Sequence, residues 1–160
     1  MDIFEYAMQM EKDGWHLYHE LAKKSDDEGV RNIFNMLEDD EVKHYKVFES
    51  MKKEEKPAMA DTTVLTDAKN IFAQLREEKK FDYNLPEIDL YKKAQELEKR
   101  SRDFYLEKAE EVKDEYQKEM FLKIAEEEKK HYYLLDNIIE FVSKPQFYLE
   151  NAEFSNLEEY

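Results

Sequence analysis

The sequence predicts an all-α protein: an antiparallel four-helix bundle built from two helical hairpins, joined by a long crossover that contains a short helix. Three observations predict it. The chain has 160 residues but only two glycines and three prolines, and it is rich in Glu, Lys, Leu, Ala and Met, a composition that suits long helices with few turns. Apolar residues recur at three- and four-residue steps over long stretches, the helical period. The first half also maps onto the second at a constant offset of 87, without a gap. Ala7 falls on Ala94, Lys12 on Lys99, Tyr18 on Tyr105, Ala22 on Ala109, Phe34 on Phe121 and Tyr45 on Tyr132. These matches concentrate on one helical face, the pattern of two related hairpins.

The first helix is expected over about residues 3–24, where Ile3, Phe4, Ala7, Met8, Glu11, Gly14, Tyr18, Leu21 and Ala22 keep the helical step. Ser25-Asp26-Asp27 supplies turn and N-cap chemistry. A second helix follows to about residue 53, with Val30, Ile33, Phe34, Leu37, Glu41, His44, Tyr45, Phe48 and Met51 on one face. Residues 52–86 interrupt the pattern and form the crossover. Pro57, Asp61-Thr62-Thr63 and Asn84-Leu85-Pro86 mark its loops, and Ala68, Ile71, Phe72 and Leu75 mark a short helix over about 67–80.

The third long helix is expected from about 86 to 112, with Pro86 in its first turn. It presents Tyr91, Ala94, Glu98, Ser101, Tyr105 and Ala109. The fourth runs from about 115 to 143 and presents Phe121, Ile124, Glu128, His131, Leu135 and Ile138 until Pro145 stops it. The bundle therefore occupies residues 1–144. The tail, 145–160, mixes aromatic and acidic residues. It reads as a segment docked on the bundle or on a neighbouring subunit, or as a partly ordered terminus.

Composition narrows the function. With no cysteine, disulfides, zinc ribbons and iron–sulfur centres are excluded. A net charge of −15 makes nucleic acid and anionic membranes poor partners. There is no run of about 18 apolar residues to span a membrane. The N-terminus lacks the basic start and apolar stretch of a signal peptide, so a cytoplasmic location is expected.

The strongest motif is Glu-x-x-His, present at Glu41 to His44 and again at Glu128 to His131. Each copy has a glutamate thirty residues upstream, Glu11 and Glu98. Glutamate and histidine three apart share a helix face and can reach one ion. The midpoint between Glu11 and Glu41 is Asp26, in the first expected turn. The midpoint between Glu98 and Glu128 is Lys113, in the second. Residues equidistant from a hairpin turn lie level, and fifteen residues of helix place each glutamate roughly 22 Å from it. Two such hairpins packed with twofold symmetry bring six ligands together. Four carboxylates balance two divalent cations, and neutral imidazoles complete the shells. That donor set suits iron or manganese and disfavours thiolate metals. Without metal the carboxylates repel, and some hold protons.

Neighbouring residues extend the pattern. Gly14 and Ser101, three residues after Glu11 and Glu98, are small enough to leave room for a bridging oxygen ligand or for close helix packing. Tyr18 and Tyr105 share the glutamate face, either as hydrogen-bond donors to ligand carboxylates or as core tyrosines. Asp40 and Glu127 are placed to orient the histidine of the opposite hairpin. His16, His19 and Asp13 form a weaker cluster off that face, and the repeat replaces them with Asp103, Leu106 and Arg100.

On these six positions, and on segments such as MEKDGWHLY, LEKRSRDFY, EVKHY and EEEKKHYYLL, the chain resembles the ferritin-like superfamily and, within it, the rubrerythrin family. The resemblance covers roughly residues 3–143. It implies that Glu11, Glu41, His44, Glu98, Glu128 and His131 hold two iron ions. Glu41 and Glu128 would bridge them, Glu11 and Glu98 would be terminal, and Tyr18 and Tyr105 would support the carboxylates. It implies a peroxidase-type oxidoreductase that reduces hydrogen peroxide or dioxygen. A ferroxidase or iron-handling role, or an iron-binding sensor signalling through the tail, stands as the alternative.

Two departures qualify it. The four-cysteine rubredoxin domain typical of the family is absent, so the electron donor is expected to be a separate, rubredoxin-type protein. An additional family glutamate one turn before the third-helix ligand is replaced by Gln95, which brings the site closer to symmetric bacterioferritin-like centres. A homodimer is expected, and exchange of hairpins within it would build composite sites.

Overall fold

The computed structural model describes residues 2–78, 88–144 and 148. The expectations for Asn84-Leu85-Pro86, for Pro145 and for the tail other than Tyr148 lie outside these residues. Helix α1 spans Ile3–Lys24, α2 Glu28–Lys52, α3 Val64–Glu78, α4 Ile88–Glu111 and α5 Glu115–Ser143. Among the described residues there is no strand. No helix among them is long and apolar enough to cross a membrane.

The helix starts are built by local side chains. Asp2 accepts from the N–H groups of Phe4 at 2.8 Å and Glu5 at 2.9 Å. Asp27 accepts from Val30 at 3.0 Å and Asp114 from Gln117 at 2.9 Å. Each satisfies N–H groups that a helix start otherwise leaves bare. Ser25 ends α1 by donating its hydroxyl to the Leu21 carbonyl at 2.7 Å. The short helix departs from expectation. It begins at Val64 rather than near 67, because the Thr63 carbonyl accepts from the Asp67 N–H at 3.0 Å and the Thr63 hydroxyl donates to Asp67 at 2.8 Å. Val64 and Leu65 thereby join its buried face.

Helix α1 packs along α2 and α4 along α5, and the α1–α4 contact joins the two hairpins. The core is split. One apolar cluster holds Tyr18, Ala22, Phe34, Ala94 and Leu134, with α3 contributing Ala68 and Phe72. The other holds Ala7, Val47, Tyr105, Ala109 and Phe121. The apolar core pairs related by the offset of 87 and named above are divided between them: Tyr18 and Tyr105, Ala22 and Ala109, Phe34 and Phe121, Ala7 and Ala94. The pseudo-twofold axis therefore crosses the bundle between the clusters, and residues near it come from both hairpins at one level. Each large side chain in these clusters contributes about 1.5–3 kcal/mol by leaving water.

The crossover follows α5. Tyr116 donates to the Pro57 carbonyl, Lys123 to that of Met59, and the Thr62 N–H donates to Glu127 at 3.0 Å. Lys43 of α2 donates to the Ala60 carbonyl at 3.0 Å. The segment thus lies over the groove between α2 and α5, within one chain. Tyr148 of the tail is buried, donates to Asn137 at 2.9 Å and packs against Phe72 and Phe141.

Candidate metal centre

Between the two apolar clusters lies a buried polar layer: Glu11, Glu41, His44, Glu98, Glu128 and His131, none more than 3% exposed. All six residues singled out by spacing are brought together. The turns fall at residues 25–27 and 112–114, as the midpoints require, so Glu11 faces Glu41 and Glu98 faces Glu128. Two overlapping groups form. Glu11, Glu41, His44 and Glu128 offer one ligating atom each within 4.8 Å of one another, and so do Glu41, Glu98, Glu128 and His131. Glu41 and Glu128 belong to both groups. One chain supplies every member.

The imidazoles present Nδ1 to the cluster. His44 Nδ1 is 2.9 Å from Glu128 Oε1 and 3.4 Å from Glu11 Oε2. His131 Nδ1 is 3.1 Å from Glu41 Oε1 and 3.2 Å from Glu98 Oε1. Their outer nitrogens reach across to the opposite hairpin, His44 Nε2 to Glu127 and His131 Nε2 to Asp40, each at 2.8 Å. An Nε2–H donated to a carboxylate leaves the Nδ1 lone pair for an ion. The tyrosines cross over too. Tyr105 donates to Glu11 at 2.7 Å, and Tyr18 donates to Glu98.

Of the two uses its size suggested, Gly14 serves close packing against α2. A Cβ there would lie 3.2 Å from Glu41 Oε2, so the space belongs to the Glu41 carboxylate. His16 and His19 stay apart. His19 pairs with Glu38 at 3.1 Å, and no metal-holding group among the described residues includes either histidine.

The electrostatics are those of a cation site. Burial pushes the Glu41 and Glu128 carboxyls well above the usual range, and Glu11 and the other carboxylates push the same way. Burial alone would lower the histidines. The carboxylates outweigh it, Glu11 foremost for His44 and Glu98 for His131, and raise them to about 9 and about 10. Burial works against the Asp40 anion, but its hydrogen bond to His131 overcomes this and holds it at about 2. Glu127 is likewise lowered, against burial, by its bond to His44. Burial first, then nearby carboxylates, raise Tyr18 and Tyr105, so both hydroxyls keep their protons. Glu11 Oε2, His44 Nδ1, Glu98 Oε2 and Glu128 Oε1 are buried without a hydrogen-bond partner. Such atoms are costly to bury unpaired. Four of them converge, three carboxylate oxygens and an imidazole nitrogen that offers its lone pair once its proton leaves, and this donor set fits divalent cations that prefer carboxylate and imidazole.

One participant was not visible in the sequence. Thr62, in the crossover, donates its N–H to Glu127 and its hydroxyl to Asp40. It joins the two carboxylates that hold the histidines, and Lys43 adds its charge 3.5 Å from Glu127 and 3.7 Å from Asp40. Asp61-Thr62-Thr63 had signalled only a loop.

The rubrerythrin family model matches residues 2–139 of the chain. No curated protein and no solved structure matches it.

Proposed function

Because the chain belongs to the rubrerythrin family, we propose that it is a non-haem diiron oxidoreductase that reduces hydrogen peroxide, with dioxygen as the alternative oxidant and electrons from an external, rubredoxin-type donor. The observation that carries this reading is the pair of overlapping four-residue groups sharing Glu41 and Glu128. Bound iron would supply the two electrons, one per ion, that cleave the O–O bond.

The chain's own residues hold and shape the site. Glu11 and His44 would hold one ion and Glu98 and His131 the other, with Glu41 and Glu128 available to both. Asp40 and Glu127 fix the imidazoles in the tautomer that presents Nδ1. The Tyr18 and Tyr105 hydroxyls hold their protons and orient Glu98 and Glu11. The two apolar clusters keep bulk water from the layer. Four carboxylates also suit manganese; iron is the metal of this reading.

Ferroxidase action is the second reading, and Gln95 favours it. Its amide nitrogen donates to the Tyr132 carbonyl at 3.1 Å and to Asp136 at 2.5 Å. A neutral group therefore stands where the resemblance leads one to look for a fifth carboxylate. Stopped-flow oxidation of the diferrous protein distinguishes the two. Peroxidase action predicts faster reaction with peroxide than with dioxygen and about two irons retained per chain. Faster reaction with dioxygen, with iron accumulating beyond two, would reject it. Glu128→Ala should lower iron content. Unchanged binding in that variant would remove the basis of the proposal.

A further inference from the structure

The six ligands are nearly symmetric, but their surroundings are not. A cavity of about 190 Å³ opens between α4 and α5, lined by Glu98, Lys99, Arg102, Lys129, Tyr132 and Tyr133. Glu98 is the only one of the six cluster residues in its wall. Arg102 follows Glu98 by one helical turn, and Lys129 stands one turn before Tyr132 and Tyr133, so the cations ring the approach to that carboxylate. Lys99 is paired with Asp103 at 3.2 Å. Arg102 and Lys129 make no ion pair among the described residues. In a chain of net charge −15, a pocket with three cations in its wall is an exception that needs a cause.

At the offset of 87 the counterparts of Arg102, Lys129 and Tyr132 are Trp15, Val42 and Tyr45. There the Trp15 indole packs edge-on against Tyr45, with ring centroids 5.0 Å apart. Trp15 thus follows Glu11 by one helical turn, as Arg102 follows Glu98. On a third side, the crossover lies over the groove between α2 and α5.

We propose that the α4–α5 pocket is the port through which a small uncharged or anionic oxygen species reaches the Glu98–His131 half of the centre. The two halves then share ligands but differ in access. The volume suffices for several waters, each needing about 30 Å³, and so for a di- or triatomic ligand. Its charge attracts anions, admits neutral peroxide and repels a hydrated divalent cation. The port is accordingly an oxidant route and not an iron route. This rests on the diiron reading and adds to it which ion is approached, and by what.

Azide, a small anion, is the probe. Its association with the diferric protein is followed by stopped-flow through its charge-transfer absorbance, alongside iron content. Arg102→Trp, which copies the Trp15 side, should slow association on the order of tenfold with iron content unchanged. The double variant Arg102→Gln with Lys129→Gln should slow it similarly and flatten its dependence on ionic strength. It decides the matter alone if the bulkier variant does not fold. Iron-loaded variants that take up azide at the unaltered rate would overturn the port and leave the diiron reading standing. A wild-type chain that retains no iron would overturn both.

Discussion

His44 and His131 each meet a carboxylate from the other hairpin, Glu127 and Asp40 respectively, at the same 2.8 Å. The two partners differ in length by one methylene, and each immediately precedes the Glu-x-x-His of its own helix. Such a partner does two things: it fixes which ring nitrogen carries the proton, and it makes the other nitrogen a stronger donor. Glu127→Gln keeps the side chain's size and an accepting oxygen but removes the charge. The expected result is iron affinity weaker by about 10- to 100-fold, with helical content unchanged, measured by titration and circular dichroism. Equal affinity in the variant would mean that Glu127 serves the crossover alone.

At the scale of elements, the long helices were legible because their apolar stripes are long and their caps local. Ile3–Lys24 and Glu115–Ser143 start and stop where the spacing places them. The ligand level was legible because one offset and two turn midpoints determine it. Local pattern could not reveal Thr62, whose partner Glu127 lies 65 residues away in the chain, or the α4–α5 cavity, which exists where the repeat fails at positions 15 and 102. Thr62 ties the crossover to both carboxylates that hold the histidines. Thr62→Val preserves shape and removes the hydroxyl that Asp40 accepts from, at a cost of about 1–3 kcal/mol if the carboxylate is left without it. The expectation is faster proteolysis and amide exchange over residues 53–63 and weaker iron retention, with Thr62→Ser restoring both. A variant with looser crossover and undiminished iron binding would separate the two roles.

The whole molecule accepts an unfavourable middle in exchange for a site. Two apolar clusters flank a layer of buried carboxylates and imidazoles, and such a layer destabilises a fold unless its charges are matched. The proton affinities determine how this depends on pH. His44 and His131 ordinarily titrate near 6.5 and are raised to about 9 and about 10 in the folded chain. Glu41 and Glu128 are raised too. The folded chain therefore holds protons that the unfolded chain releases. The histidine contribution to stability is full below about pH 6.5 and is lost as pH rises through about 9 and then 10. Each tenfold difference in proton affinity is worth about 1.4 kcal/mol, so the loss is on the order of several kcal/mol. Metal needs the same groups deprotonated and binds more tightly as pH rises. Chelated protein should thus show a urea midpoint that falls from pH 6.5 to 10. The added stability given by iron, or by cobalt as a redox-inert stand-in, should widen over the same range. A chelated midpoint that stays level or rises across this window would show that the histidines are not held charged by the cluster, and with that the electrostatic case for a cation site would fail.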